Sequence, residues 1–458
     1  MLGSGPGGYV LALKAARMGA EVVVVEDREV GGTCLNRGCI PTKTLVASSE
    51  LYGKMKRMAA FGFDLDGRIT PNMKKIMARK EKIIATQVRG IRSLFKNSGV
   101  LLKQGRGELL SPRQVLVQGV EGEEIITSDC TVIATGSRPA QIPTFPLDGI
   151  HIISPTDALE LTEIPESLLI VGAGVMGCEF ACIYRELGTE VTMVELLPRA
   201  VATEDEEISA LMERELRKKK IKLMKEVKAE RLEIRDHGVH TFVSNGQEVI
   251  TEKVLVTIGR TFNSQGIGLE KVGIRTGRQG EIEVNRQMST NVDGVYAIGD
   301  VTGGMLLAHT ASREAVVAAV NMMGGMAAMD YDVVPSAIFT SPEIASVGLR
   351  EHQAEEVNRS ILTGHFQYRA LGKAHAMGEI SGIFKVIADR KTDRLLGAHI
   401  IGPHASDIIH EAALAIRAGL TVKDLTETIH AHPTLAEGLV EAAEDVHKQS
   451  IYHFGKEV

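Results

Sequence analysis

Residues 2–26 read LGSGPGGYVLALKAARMGAEVVVVE and contain the first of two glycine-rich turns. Glycines at positions 3, 5 and 8 match the pattern GxGxxG, a helix-forming segment follows, and an apolar strand then ends at Glu26. In such a unit Gly3 makes the turn, Gly5 lets backbone amides approach a pyrophosphate, and Gly8 lets helix and strand pack. Residues 2–26 therefore predict a Rossmann-type unit in which Glu26 binds the ribose diol of a dinucleotide.

A second copy of this pattern begins at residue 168. The apolar run 168–171 leads into Gly172, Gly174 and Gly177, and a later strand ends at Glu195. In both copies the first glycine and the terminal glutamate are 23 positions apart. A single GxGxxG is weak evidence because glycine-rich turns are common, whereas two copies with the same spacing are strong evidence. The chain is therefore expected to bind two dinucleotides.

The acid at position 195 indicates which nicotinamide dinucleotide is used. A carboxylate there would bind the ribose diol of NAD and would repel the 2′-phosphate of NADP. The residues that follow it contain a single arginine, Arg199, which we interpret as an exposed loop charge. NAD is favoured over NADP.

Two cysteines, Cys34 and Cys39, lie in the run GGTCLNRGCIPTK at residues 31–43. In a regular helix the Cα atoms of residues i and i+5 are about 8 to 9 Å apart, beyond the roughly 7 Å limit for a disulfide. The first turn must therefore be distorted for the two sulfurs to join. A strained disulfide at a helix N-terminus opens easily, so this pair predicts a redox-active disulfide beside a flavin. The alternative is two unrelated buried thiols.

Composition places the chain among soluble multidomain proteins. The 458 residues carry a net charge of −6, with no single-sign face evident, and aromatic residues make up 4% without tryptophan. We therefore expect no nucleic acid and no membrane as partner. The three remaining cysteines are expected to be inert reduced thiols, and the absence of a targeting segment favours a cytoplasmic or mitochondrial-matrix-like location. A strand of about five residues should precede a turn such as that at Gly3, so the first strand is expected to be missing.

Further strand ends divide the rest of the chain. Apolar strands lead into Gly136, Gly259 and Asp300, which we interpret as additional cofactor contacts. The fold class is α/β, with two Rossmann-like dinucleotide-binding domains, a central region and a C-terminal α+β dimerisation domain. The predicted domains are a first dinucleotide domain 1–139, a second dinucleotide domain 140–265, a central domain 266–333 that completes the first site, and an interface domain 334–458.

The segment HAHPTLAE at 430–437 contains a possible base. His432 followed by an acid, Glu437, can act as a base with an orienting carboxylate. On spacing alone, a loop histidine followed by an ordinary helix-start glutamate is slightly favoured. His404, Asp407 and His410 could be mistaken for metal ligands, but their spacing spreads them around a helix, so no metal site is expected.

In combination, the segments at 31–43, 294–300 and 430–437 resemble the flavin disulfide reductase family along almost the whole chain, and within it the members that oxidise dihydrolipoyl groups. The resemblance implies FAD in the first site, NAD in the second, and a homodimer whose active site takes the pair of His432 and Glu437 from the partner subunit. It also implies that Cys34 meets the substrate and that Cys39 lies against the flavin. His432 would then be the base, with Glu437 orienting it, and the resemblance reverses the preference for an ordinary loop histidine.

The resemblance also implies roles for residues around the flavin. Lys43 would pair with Glu179 beside the isoalloxazine, and Glu26 and Asp300 would hold FAD. Glu195 would hold the ribose of NAD. The implied partner is the lipoyl domain of an acyltransferase in a 2-oxo acid dehydrogenase complex, or the H-type protein of glycine cleavage.

Two other functions stay open at this point. A glutathione- or mercuric-reductase-like enzyme would share the cysteine pair, although Glu195 disfavours NADP and no cysteine follows Cys182. A non-catalytic flavoprotein subunit is the other alternative, especially if the first strand is missing.

Overall fold

The computed structural model describes residues 1–120, 122–235 and 238–452. Residues 1–139 form the helices α1 (Pro6–Arg17), α2 (Gly32–Arg37), α3 (Cys39–Lys56) and α4 (Met73–Asn97) and the strands β1 (Val23–Glu26), β2 (Leu101–Gln104), β3 (Arg106–Ser111), β4 (Gln114–Gly119), β5 (Gly122–Thr127), β6 (Thr131–Ile133) and β7 (Ser137–Pro139). Residues 140–265 form the strands β8 (Ile152–Ile153), β9 (Ser167–Val171), β10 (Glu190–Val194), β11 (Lys222–Met224), β12 (Ala229–Arg235), β13 (Gly238–Val243), β14 (Glu248–Thr251), β15 (Lys253–Val256) and β16 (Arg260–Phe262) and the helices α5 (Pro155–Ala158), α6 (Val175–Leu187) and α7 (Glu206–Lys218).

The remaining residues complete the first half and add a separate sheet. Residues 266–333 contain α8 (Leu269–Val272), β17 (Val295–Ala297) and α9 (Ala308–Met322). Residues 334–452 contain the strands β18 (Ser336–Ile338), β19 (Ile344–Gly348), β20 (Ile361–Gln367), β21 (Ile383–Asp389) and β22 (Leu395–Ile401) and the helices α10 (Glu351–Glu356), α11 (Gly372–Met377), α12 (Ala405–Ala418), α13 (Val422–Thr426) and α14 (Glu437–Val446). Short 3₁₀ helices span Met58–Phe61, Gly299–Thr302 and Tyr368–Ala370.

Two parallel sheets have the same plan. The second unit, defined by α6 and the sheet β11-β10-β9-β15-β8, is parallel throughout. The first unit, defined by α1 and the pairs β2-β1 and β6-β17, is also parallel. Each unit inserts a three-stranded antiparallel sheet, β3-β4-β5 in the first and β12-β13-β14 in the second. The central strands of the two parallel sheets are apolar and buried, as expected where helices cover both faces of a sheet.

Met1 and Leu2 lie at the centre of the first sheet, where the expected first strand is reduced to these two residues, and no named strand precedes α1. Leu2 bridges Val25 on one side and Ile133 on the other, both in parallel. Its amide donates to the carbonyl of Val132 at 2.8 Å, and the amide of Val25 donates to the carbonyl of Met1 at 2.8 Å. These two residues therefore join the facing edges of both neighbouring strands through backbone hydrogen bonds.

Outside these units, β7 and β16 pair antiparallel and so link the two ends of the second unit. The C-terminal sheet has the order β18-β19-β22-β21-β20 and is antiparallel throughout. Its core is a cluster of buried side chains that also includes α12 and α14. No helix in the described part of the chain is long and apolar enough to cross a membrane.

Candidate functional site

The third glycine of each turn is required by close backbone contact. A Cβ on Gly8 would lie 2.2 Å from the carbonyl oxygen of Gly3, and a Cβ on Gly177 would lie 2.0 Å from that of Gly172. No side chain can move to relieve these contacts, because both partners are backbone atoms. The helix therefore packs against the turn only when glycine stands at these two positions.

The second glycine of each turn faces open space instead. Gly5 and Gly174 are the N-caps of α1 and α6. No atom lies within 4 Å of a Cβ built on Gly174, and the nearest to one on Gly5 is at 4.0 Å. Gly136 and Gly259, at φ +70° and +127°, are similarly open. Unpaired amides at a helix N-terminus beside open space fit the phosphates of a dinucleotide.

The two terminal glutamates hold their turns in the same way. Glu26 accepts hydrogen bonds from the amides of Ser4 at 2.8 Å and Arg28 at 3.0 Å. Glu195 accepts from the amides of Ala173 at 2.6 Å and Leu197 at 2.8 Å. Both carboxylates are buried. Each therefore ties the glycine turn to the end of the neighbouring strand, at the place where a ribose would lie in this fold.

Arg199 differs from its predicted place as an exposed loop charge. Its guanidinium pairs with Glu206 at 3.2 Å, and its side chain is only 22% exposed. The arginine is half-buried because α7 begins beside it.

The redox segment is interrupted between its two cysteines. Cys34 lies in α2, Cys39 begins α3, and Gly38 separates the helices at φ −145° and ψ −112°. A Cβ on Gly38 would lie 3.1 Å from the carbonyl oxygen of Thr33 and 3.3 Å from the Cα of Cys34. The break brings the chain back toward Cys34, which the predicted distortion of the first turn required.

Both cysteines are free thiols in this structure. A hydrogen bond from the Cys34 thiol, helped by the positive charge of Lys43, lowers the pKa of Cys39 to about 7. The same hydrogen bond and burial raise the pKa of Cys34 above its ordinary value. Negative charge in the reduced pair is therefore favoured on Cys39 over Cys34.

Lys43 and Glu179 connect the two units beside this pair. The ammonium of Lys43 lies 2.9 Å and 3.0 Å from the two carboxylate oxygens of Glu179, and Glu179 also accepts the amide of Phe339 at 2.9 Å. The ammonium stacks on the Phe339 ring at 4.5 Å. The Glu179 side chain is 3% exposed, so its charge is compensated by Lys43 rather than by water.

Asp300 is held by residues that the sequence did not single out. Ser137 donates its hydroxyl to the carboxylate of Asp300, and Arg260 donates to the Ser137 hydroxyl at 2.6 Å and lies 3.7 Å from Asp300. On α9, Glu314 accepts the amide of Gly299 at 2.7 Å. Arg260 directly follows a predicted contact, Gly259, and that adjacency was the available signal. Glu314 had no signal, because a single acid within the helix Ala308–Met322 matches no motif.

The side chains of His432 and Glu437 are in contact at the surface. The Nδ1 atom of His432 lies 2.8 Å from the Glu437 carboxylate, which also accepts the amide of Thr434 at 2.7 Å. The His432 side chain is 76% exposed. Within the described chain, no hydrogen bond or ion pair joins either residue to Cys34 or Cys39.

The three other cysteines lie away from this arrangement. Cys178 and Cys182 are buried in α6, and burial raises the pKa of both thiols. Burial also raises the pKa of Cys130, which is half-buried. At neutral pH all three are protonated and poorly nucleophilic.

Comparison with known proteins covers nearly the whole chain. Residues 1–315 match the model of the pyridine nucleotide-disulphide oxidoreductases, and residues 334–443 match the dimerisation domain of the same group. The dihydrolipoyl dehydrogenase of Thermus scotoductus is 41% identical over 99% of this chain and 98% of its own length. The mitochondrial dihydrolipoyl dehydrogenase of Pisum sativum is 38% identical over 99% of this chain and 92% of its own length.

A solved structure extends the likeness to the fold. The LpdA protein of Mycobacterium tuberculosis superposes with a TM-score of 0.91 at 30% identity, over 97% of this chain and 98% of that one. The likeness covers both dinucleotide units and the C-terminal sheet.

Proposed function

The chain belongs to the pyridine nucleotide-disulphide oxidoreductase family, and we propose from that premise that it is a dihydrolipoyl dehydrogenase that passes electrons through Cys34 and Cys39. It uses FAD and NAD. The observation that carries the assignment of the cysteines is the unequal pair on an interrupted helix, with the pKa of Cys39 lowered to about 7 and that of Cys34 raised. The sulfur with the lower pKa leaves faster in thiol–disulfide exchange, so attack is directed at Cys34.

The exchange balances without a further reactant. A thiolate of the dihydrolipoyl group attacks the sulfur of Cys34, the Cys34–Cys39 bond breaks, and its electron pair leaves with Cys39. The second substrate sulfur then attacks the first, which forms the cyclic lipoyl disulfide and releases Cys34. Glu26, Asp300 and the Gly5 turn would hold FAD, which when bound would supply the hydride chemistry between the thiols and NAD. NAD would be held by Glu195 and the Gly174 turn.

Lys43 and Glu179 set the charge around Cys39 in this proposal. The Lys43 cation stabilises the Cys39 thiolate, and the Glu179 carboxylate opposes that effect. The hydrogen bond from Cys34 is the larger cause of the lowered pKa of Cys39, and Lys43 acts in the same direction, which favours Cys39 as the leaving sulfur.

The base comes from a second copy of the chain. The chain carries a dimerisation domain, and His432 presents a solvent-exposed imidazole whose Nδ1 is held by Glu437. With Nδ1 as donor, Nε2 is left to accept the proton of the substrate dithiol. We therefore assign the proton-accepting step at each Cys34 to the partner subunit's His432. A lipoyl-bearing domain is the partner that supplies the substrate, and a cytoplasmic or matrix-like location is proposed.

Replacement of Cys34 or Cys39 by serine tests this function. Each variant should lose turnover of dihydrolipoamide with NAD by on the order of 10³-fold or more while keeping its flavin absorbance. Cys130→Ser is the matched control and should keep full activity. Full activity of either first variant would contradict the proposal. Faster turnover of glutathione disulfide with NADPH than of dihydrolipoamide with NAD would favour the glutathione-reductase-like alternative.

A further inference from the structure

Helix α4 carries a face of exposed positive charge, although the sequence led us to expect no single-sign face. Of its 25 residues, eight are Lys or Arg and one is acidic. Seven of the eight are exposed, and Lys80 is buried. At 100° per residue, the seven lie within an arc of about 140°, and they extend over about 33 Å of helix. We call them the α4 basic face: Lys74, Lys75, Arg79, Lys82, Arg89, Arg92 and Lys96.

Within the described residues, these charges are not neutralised by acidic side chains. Among residues 1–120, 122–235 and 238–452, no ion pair to any of the seven is found. The other residues within the arc are small or neutral polar, and the acid of this helix, Glu81, lies outside it. The opposite side is apolar and buried, with Met77, Ile84 and Phe95 facing the core. Seven uncompensated cations on one side of a helix repel one another, so a stability role does not explain them.

The basic face lies on the element that supports the redox pair. Ile91 and Phe95 pack in one cluster with Leu35, the neighbour of Cys34. At the N-terminal end of α4, Met73 and Met77 pack in one cluster with Leu45 of α3. Arg79 donates to the carbonyl of Thr44, also in α3, at 3.4 Å. A body bound to the outer side of α4 is therefore held beside the segment that carries Cys34 and Cys39.

We propose that the α4 basic face docks an acidic protein domain, the one that carries the dihydrolipoyl group. This inference rests on the proposed function and names the recognition element for its substrate carrier. A row of cations on a rigid helix raises the association rate of an anionic partner and acts over about 8 Å at physiological ionic strength. Such a charged surface suits a substrate carrier that must bind, react and dissociate in each turnover.

Two other classes of polyanion fit the face less well. Single-stranded nucleic acid needs aromatic side chains for base stacking, and the aromatic residue of α4, Phe95, is buried. An anionic membrane binds interfacial helices through an exposed apolar face, whereas the apolar face of α4 packs on the core.

Charge reversal on the face tests the proposal. The variant Lys75→Glu/Lys82→Glu/Arg89→Glu should raise the KM for a reduced, lipoylated acyltransferase domain of negative net charge by about tenfold or more, with little change in kcat. Its activity on free dihydrolipoamide should equal that of the wild type. The dependence of the domain KM on salt concentration should also weaken. The three positions are exposed, and flavin absorbance verifies that the variant is folded.

A matched control reverses three exposed cations of the second unit, Arg217→Glu/Lys222→Glu/Lys228→Glu, which changes the net charge equally. It should leave the domain KM within about twofold of the wild type, because the effect depends on position rather than on total charge. The neutral variant Lys75→Gln/Lys82→Gln/Arg89→Gln should give an intermediate KM.

An unchanged domain KM in the α4 charge-reversal variant would overturn the proposal, as would an equal rise in the control. Loss of binding to phosphatidylglycerol vesicles or to single-stranded DNA, with the domain KM unaltered, would assign the face to a different partner and would also overturn it. The proposed function fails separately, if the wild type does not oxidise free dihydrolipoamide with NAD.

Discussion

The first and second units repeat one dinucleotide-binding device with different neighbours. Gly3, Gly5 and Gly8 of the first turn, and Glu26 after it, have their counterparts 169 positions later. The units differ where α1 and α6 meet the rest of the chain. Gly7 allows α1 to lie close to Ile298 and to α9, where a Cβ would be 3.2 Å from the Ile298 side chain, and the second unit has Met176 at this position.

A second difference decides which unit influences the cysteines. The position of Val10 in the first unit is held by Glu179 in the second, and that buried carboxylate reaches Lys43. The shared residues form the nucleotide cradle, whereas the unshared ones join the cradles to each other and to the redox segment. The residues that the two units share account for binding of a dinucleotide in each, and the residues that differ account for the connection between the two sites.

The strongest test of this comparison replaces the third glycine of each turn. Gly177→Ala places a methyl group 2.0 Å from a backbone oxygen, and we expect kcat/KM for NAD to fall by about 100-fold while flavin remains bound. Gly8→Ala should yield protein without flavin. Gly90→Ala, where no atom lies within 4 Å, is the control and should be silent in flavin absorbance and in steady-state kinetics. Equal loss of both cofactors in both variants would contradict separate cradles.

The two glutamates provide the next test. Glu195→Gln should raise the KM for NAD by about tenfold and reduce the preference for NAD over NADP. The reason is that a carboxylate bonded to two backbone amides loses its charge. Glu26→Gln should instead weaken flavin retention. Glu21→Gln and Glu190→Gln, exposed acids that are also 169 positions apart, are matched controls. If Glu195→Gln changed flavin retention more than NAD kinetics, the assignment of the two sites would be reversed.

A pH titration separates the contributions of the two units to Cys39. The thiolate is present above its pKa of about 7 and is lost as the pH falls through that value. Lys43→Met removes a stabilising cation, so the midpoint should rise by about one pH unit, which ultraviolet thiolate absorbance measures. Lys54→Met, on an exposed turn of the same helix, should leave the midpoint in place. A fall in the Lys43→Met midpoint would show that Lys43 does not stabilise the Cys39 thiolate.

The smallest expected effect concerns Ser4, which adds a hydroxyl bond to Glu26 at 2.5 Å where the second unit has Ala173. Ser4→Ala should weaken flavin binding by about fivefold, measured by equilibrium dialysis of the flavin. Ser49→Ala, a buried serine bonded to the carbonyl of Val46 at 2.9 Å in its own helix, is the control. A loss of flavin as large as that in Glu26→Gln would mean that the hydroxyl, rather than the carboxylate, holds the cradle.

Short-range spacing made much of this molecule predictable. Both glycine turns and both acids follow a fixed local pattern, and the contact of Lys43 with Glu179 followed from the family resemblance and from the early position of Glu179 on α6. The fold class is confirmed by the family match and by the superposed structure. The domain boundaries and the roles of the site residues stay predictions.

What could not be predicted depends on three-dimensional packing. The place of Met1 and Leu2 in the first sheet depends on strands far along the chain, which no local pattern reveals. The α4 basic face was missed because its cations are spread along the helix at spacings of one to seven positions and average out in a net charge of −6. Arg199 was misplaced because its burial depends on where α7 begins. For Met1, Leu2 and Arg199, the position of the residue depends on contact with another strand or helix, which the spacing of residues in the sequence does not identify.

The pairing of β7 with β16 has a consequence for how the chain is synthesised. The whole second unit is inserted between these strands, and β17, the last strand of the first sheet, follows the insertion. On the ribosome, β17 therefore emerges on the order of 10 s or more after β6, at typical elongation rates. All five strands of the second unit's parallel sheet are synthesised before the first sheet can close. The second unit should therefore fold first in the nascent chain, and flavin should bind last.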